Sequence, residues 1–121
     1  MRGSTERRSH ERQNGVLAEI LVQSVPQMEE VCAIGRAVSQ RPEKGAAVAA
    51  AEYLQANFPE RTGFFPRNVR RMRDFYRSYE KDQTLLWLAM KIGWTLNVVI
   101  MEEELTRQDR KWYLEQARKQ R

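Results

Sequence analysis

Strand signals, cysteine and histidine are nearly missing from this 121-residue chain, and each shortage removes a class of function. The single cysteine, Cys32, has no internal partner, so no disulfide framework is expected, and within its apolar run it reads as a small packing hydrophobe. The single histidine, His10, stands in a polar segment without a second histidine or cysteine, which leaves zinc short of ligands. A metal-dependent nuclease needs two acids and a lysine on neighbouring strands to hold a metal and polarise water, and no such array is present. Glu102, Glu103 and Glu104 are consecutive, so a helix splays them about 100° apart instead of converging them on an ion. No Gly-rich phosphate loop occurs. The reading is a non-enzyme without metal or cofactor. Apolar runs fall short of the roughly 18 residues of a membrane span, and no apolar signal core opens the chain, so the expected location is cytoplasmic.

What is present is charge and helical periodicity. The chain carries 21 Lys and Arg against 16 Asp and Glu, a net charge of +5, which favours polyanionic partners. Residues 1–14 hold Arg2, Arg7, Arg8 and Arg12 and no aliphatic residue after the initiator, which predicts a flexible polar arm preceding one helical domain over residues 15–121. Residues 16–23 read as a short apolar helix. Ser24, Pro26 and Gln27 form a restart, with serine capping and proline in the first turn. The next helix carries Met28, Val31, Cys32, Ile34, Gly35 and Val38 and stops before Arg41-Pro42, because the residue preceding proline resists helical geometry. An alanine-rich helix over residues 46–58 presents Ala47, Ala51, Leu54 and Phe58 as one stripe. Beyond residue 79, Thr84 is expected to cap one helix and Gly93 to interrupt it. Thr95 or its neighbourhood restarts the next, and Thr106 with Asp109 forms a capping box for the last. Trp87, Trp94 and Trp112 have apolar neighbours and are assigned to the core. The fold class expected is all-α, a compact bundle of about six helices.

The segment of greatest interest is 63–79, G-F-F-P-R-N-V-R-R-M-R-D-F-Y-R-S-Y, where five arginines interleave with five aromatic residues. Val69, Met72, Tyr76 and Tyr79 fall on one helical stripe with Phe75 at its edge. Arg67, Arg70, Arg71 and Arg77 project elsewhere, accompanied by a single acid, Asp74. A charge run that merely solvates a face normally intersperses acids for same-face pairing, and here they are almost absent. The segment resembles the second helix of a helix-turn-helix, opened by Pro66, although the connection of about seven residues exceeds the three or four of a minimal motif. Phosphate contacts are assigned to Arg67, Arg70, Arg71 and Arg77. Asn68 is either a base reader, since an amide bonds adenine bidentately, or simply a residue suited to the first helical turn. Phe64 and Phe65 are assigned to anchoring the turn.

G-F-F-P-R-N-V-R-R-M-R-D-F-Y, followed by L-A-M-K-I-G-W-T-L-N-V-V-I-M and K-W-Y-L-E-Q-A, resembles the N-terminal domain of the YhcG-type family, with I-G-R-A-V at 34–38 a weaker match. In that family of bacterial and phage-borne proteins the domain usually precedes a PD-(D/E)xK nuclease domain. The resemblance covers most of the chain from about residue 28. It implies a helical domain that recognises DNA or assembles a nuclease, with any catalysis residing in a following part that has no counterpart here. Pro66 stands where the family often has serine, so proline's fixed backbone angle replaces a side-chain cap.

Two readings follow. In the first, the chain is a DNA-binding module of a mobile-element or defence-associated protein. In the second, it is an interaction domain that self-associates, or docks a nuclease domain or full-length relative, through apolar surface on residues 85–101. A homodimer is expected, because six short helices struggle to cover Trp87, Leu88, Met90, Ile92, Trp94, Val98, Val99 and Ile100 together.

Overall fold

A computed structural model describes residues 2–120, with side chains from residue 7 onward. Those residues form seven α-helices and no strand: α1 (Arg2–Gln23), α2 (Gln27–Ser39), α3 (Ala46–Asn57), α4 (Pro66–Tyr79), α5 (Gln83–Ala89), α6 (Trp94–Glu102) and α7 (Arg107–Lys119). The all-α expectation is met, and the helix boundaries at Pro42, Pro66, Gly93 and Thr106 lie where the breakers and caps put them.

The N-terminal segment departs from the expected arm, since residues 2–14 continue the helix that residues 16–23 begin. Once an apolar turn has been nucleated against the core, each further residue adds a hydrogen bond at little cost. Residues 2–14 contain no proline to stop that propagation. Gln13, Leu17 and Leu21 recur at intervals of four and are buried on the inner face of α1. Gln13 Nε2 reaches across to donate to the Ala46 carbonyl at 3.2 Å.

α1 ends at Gln23, and Ser24, which follows with φ 53°, makes no cap; Pro26 occupies the N-cap position of α2, and its carbonyl accepts from Glu30 N at 3.0 Å. The restart is therefore real, but extended proline backbone performs it instead of a serine hydroxyl. Glu29 and Glu30 in the first turn suit the positive end of the helix.

α2 and α4 form the centre of the molecule, packed across Gly35. A Cβ built at that position would lie 2.1 Å from the Met72 carbonyl oxygen and 3.1 Å from Tyr76 Cβ, so only glycine admits this approach. Val69, Met72, Phe75 and Tyr79 form the inner face of α4. Phe75 thus stands at the centre of the stripe, whereas Tyr76 turns to its margin. Phe75 meets Tyr79 and Trp94 edge-on, with ring centroids 5.1 and 5.8 Å apart. α3 brings Ala46, Ala47, Ala50, Ala51 and Leu54 against α4 and α1, its small side chains permitting close packing.

The last three helices form a smaller layer. Asp82, not Thr84, caps α5, accepting from Leu85 N at 3.2 Å, because the helix begins one residue before the threonine. Thr106 caps α7 as expected, accepting from Asp109 N at 3.1 Å. Asn97, fully buried, donates to the carbonyls of Ala89 and Gly93 at 2.9 and 3.0 Å and so closes the α5–α6 corner. Leu88, Ile92 and Ile100 are buried within the chain itself; Met90, Trp94 and Val98 are partly buried; Trp87 and Val99 remain outside. The apolar surface that motivated a dimer is thus smaller than expected, because α4 and α7 cover much of it. Trp112 is also exposed instead of joining the core, and it meets Tyr113 edge-on at 4.9 Å.

Candidate nucleic-acid interface

The turn entering α4 is held from three sides. Gly63 adopts φ +88°, in the left-handed region that glycine tolerates, and thereby aims its carbonyl at the start of the helix. Asn68 Nδ2 donates to that carbonyl at 2.6 Å, while Asn68 Oδ1 accepts from Trp94 Nε1 at 3.1 Å. Gln55 Nε2, from α3, donates to the Phe64 carbonyl at 2.9 Å. Phe64 is buried, and the Arg61 guanidinium lies 5.4 Å from its ring centre. Arg61 also pairs with the buried carboxylate of Glu30 at 2.5 Å, tying the loop to α2.

Asn68 is only 9% exposed, and both ends of its amide are committed to the fold. Reading a base edge would require breaking both bonds. Of the two roles open to Asn68, the structural one fits this geometry.

The arginines divide. Arg67 and Arg70 are exposed on α4 and make no ion pair or side-chain hydrogen bond among the described residues; spaced by three, they are neighbours on one face. Arg71 is drawn toward α6, where its Nε donates to Glu102 Oε1 at 2.8 Å. Arg73 pairs with the adjacent Asp74 at 3.1 Å. Arg77 donates to the Ser39 hydroxyl at 3.0 Å and to its carbonyl at 3.4 Å, closing the C-terminal end of α2. The arginines of α4 that lack any side-chain partner among the described residues are therefore confined to its N-terminal half, and Glu102 borders them, whereas Arg77 keeps its charge unpaired but has its donors engaged by Ser39.

Phe65 was missed as a surface residue. It is 46% exposed at the N-cap of α4, on extended backbone with φ −83° and ψ 157°. Successive side chains on extended backbone point to opposite sides, so when Phe64 packs inward Phe65 must face out. The doubled phenylalanine before a proline was the available signal. Phe65, Arg67 and Arg70 together offer an aromatic face and two cations at one helix start. A cation in a first turn opposes the helix dipole, and α4 has no acid there to offset it.

Asp82, Tyr79 and Cys32 depart from their ordinary titration for reasons of packing and pairing. The Arg107 side chain, donating at 2.6 Å, is the main influence holding the Asp82 carboxyl below its ordinary range, aided by the Leu85 amide. Burial pushes the Tyr79 hydroxyl up, opposed by Arg110, and burial likewise raises the Cys32 thiol. Among the described residues, no group of three or more His, Cys, Asp and Glu side chains is arranged to hold a metal ion, and no helix is long and apolar enough to cross a membrane.

The model of the DUF1016 N-terminal domain family matches residues 28–121, and the chain belongs to that family, the N-terminal domain of the YhcG group that its motifs resemble. No curated protein and no solved structure matches it.

Proposed function

We propose that this DUF1016 N-terminal domain is a non-catalytic DNA-binding module that meets the phosphate backbone through the start of α4, serving a mobile-element or defence-associated protein. The observation carrying this reading is the unpaired, exposed Arg67 and Arg70 beside the exposed Phe65. Two arginines on adjacent phosphates release counterions, so affinity for duplex DNA falls about tenfold between about 50 and 200 mM salt, a slope near two. Replacing both by alanine removes that slope and leaves the melting temperature unchanged, since exposed positions without partners contribute little to stability. Absence of binding at about 50 mM salt and about 100 µM protein, weaker than ordinary non-specific affinity, overturns the reading.

A second reading is favoured by a different observation. Leu96 and Val99, three apart on α6, are both exposed, as are Trp87, Trp112 and Tyr113. Self-association through α6 would cover the first two, and docking onto a nuclease domain or a full-length relative would use the same surface. Sedimentation would then give about twice the 14.3 kDa chain mass. Substituting Leu96 and Val99 by glutamate would return it to that of one chain. A wild-type chain that sediments as a monomer removes the self-associating form.

A further inference from the structure

A cavity of about 240 Å³ opens between α1 and the segment following α2, and no residue of α4 lines it. Its most unusual lining group is Arg41, which is only 8% exposed. The guanidinium Nε lies 3.3 Å from Glu43 Oε2, at ion-pair distance, yet Nε, Nη1 and Nη2 all lack a hydrogen-bond partner among the described residues. A shielded guanidinium with unused donors is costly unless something accepts from them. Arg12, exposed on α1, borders the same cavity, and so does Ser9.

The lining also contains two shielded acceptors. Gln13 spends its Nε2 on the Ala46 carbonyl and leaves Oε1 without a donor; Glu43 Oε2 likewise receives no hydrogen bond. The Glu43 carboxyl is held below its usual range, first by its own backbone amide and then by Arg41 and His10, so it is an ionised acceptor at neutral pH. A fully deprotonated anion such as sulfate meets the guanidinium well but faces repulsion from these two oxygens. Hydrogen phosphate satisfies both sets at once: its oxygens accept from Arg41, Arg12 and Ser9, and its own O–H donates to Glu43 or Gln13.

We propose that this cavity is a binding site for a protonated phosphate group, with the buried Arg41 as its anchor and Glu43 as the acceptor that selects a proton-bearing anion. The group is either free hydrogen phosphate or the singly protonated end of a phosphate monoester, a form populated at and below about pH 6, the second pKa of a monoester, whose remaining atoms would extend through the mouth of the cavity. The site does not depend on DNA binding at α4.

The test is a ³¹P NMR and thermal-denaturation titration of the full chain with sodium phosphate, against sodium sulfate at matched ionic strength. Sulfate controls for the general stabilisation that both excluded anions provide. Saturable binding of phosphate, with a rise in melting temperature that sulfate does not reproduce, is expected. Arg41→Met weakens it at least about tenfold, the loss of charge-assisted hydrogen bonds. Should that variant fail to fold, Glu43→Ala and Arg12→Ala keep the proposal open to refutation, because Arg12 is exposed and the Glu43 side chain is 37% exposed. Arg12→Ala weakens phosphate severalfold, and Glu43→Ala abolishes the preference for phosphate over sulfate. A parallel titration with a nucleoside monophosphate at about pH 6, where about half of its phosphate carries a proton, distinguishes the sources: binding as tight as phosphate supports a monoester, and none supports the free anion. A response that never saturates, an equal response to sulfate in the wild type, or a response unchanged in Arg12→Ala and Glu43→Ala overturns the proposal.

Discussion

Trp94 Nε1 donates to Asn68 Oδ1 at 3.1 Å, and through the other end of the same amide the bond continues to the carbonyl of Gly63 at 2.6 Å. One side chain thus connects the turn before α4 to the first residue of α6. It fixes the turn from which Arg67 and Arg70 leave the fold.

Asn68→Ala is expected to destabilise the protein by about 2 kcal/mol, since it leaves the Gly63 carbonyl and the Trp94 N–H without their partner. Urea denaturation measures this as a lower midpoint at unchanged slope. At temperatures where the variant is folded, its DNA affinity should fall by less than that of the Arg67/Arg70 double variant. The opposite order would restore Asn68 as a base contact.

Glu102→Gln releases Arg71 from its ion pair and removes a negative charge beside the arginine face. An exposed ion pair is worth up to about 1 kcal/mol, so DNA affinity is expected to rise by at most about fivefold. The salt slope should increase by about one as a third arginine becomes available. A fluorescence anisotropy titration at several salt concentrations tests both. Unchanged affinity and slope would mean that Arg71 takes no part in binding even when freed.

Gly35→Ala and Gly15→Ala should move stability in opposite directions. Alanine gains about 1 kcal/mol of helix propensity over glycine at either site. At Gly15 the new methyl meets nothing within 4 Å, so the gain stands and the melting temperature rises. At Gly35 it would lie 2.1 Å from the Met72 carbonyl oxygen, and α2 and α4 must separate, at a net cost of about 3 kcal/mol. Thermal denaturation of the two variants side by side decides it, and a stable Gly35→Ala protein would contradict the close crossing.

Asp82 should give the folded state an acid-sensitive component. Its carboxyl is held below the unfolded value by Arg107 and the Leu85 amide. The stability it contributes is therefore fully present above the unfolded pKa of about 3.9 and is lost as pH falls through the lower folded value. Asp82→Asn retains a capping oxygen but cannot ionise, so its stability should vary less over that acid window while the difference from wild type is constant near neutrality. Melting temperatures measured between about pH 2 and 7 test this.

Much of the architecture was legible in the residues themselves. Helix periodicity, the breakers Pro42, Pro66 and Gly93, and the cap at Thr106 act within a turn or two of chain, so α2, α3, α4 and α7 could be read locally. The arginine density of residues 61–77 is equally local, and it identified α4 as the helix of interest. The family resemblance rested on strings in and around α4, α5, α6 and α7, with a weaker one in α2. The helical continuation of α1 through residues 2–14 was not legible, because it depends on propagation from Leu17 and Leu21 packed against other helices. Nor was the division among the arginines. Arg70 and Arg71 are adjacent and chemically identical, yet Glu102 claims one of them from 31 residues away, and Ser39 holds Arg77 across 38. Composition counts charges, whereas hydrogen bonds and ion pairs need their partners within a few ångströms, so which cations keep unused donors is decided only when distant segments of the chain are brought together.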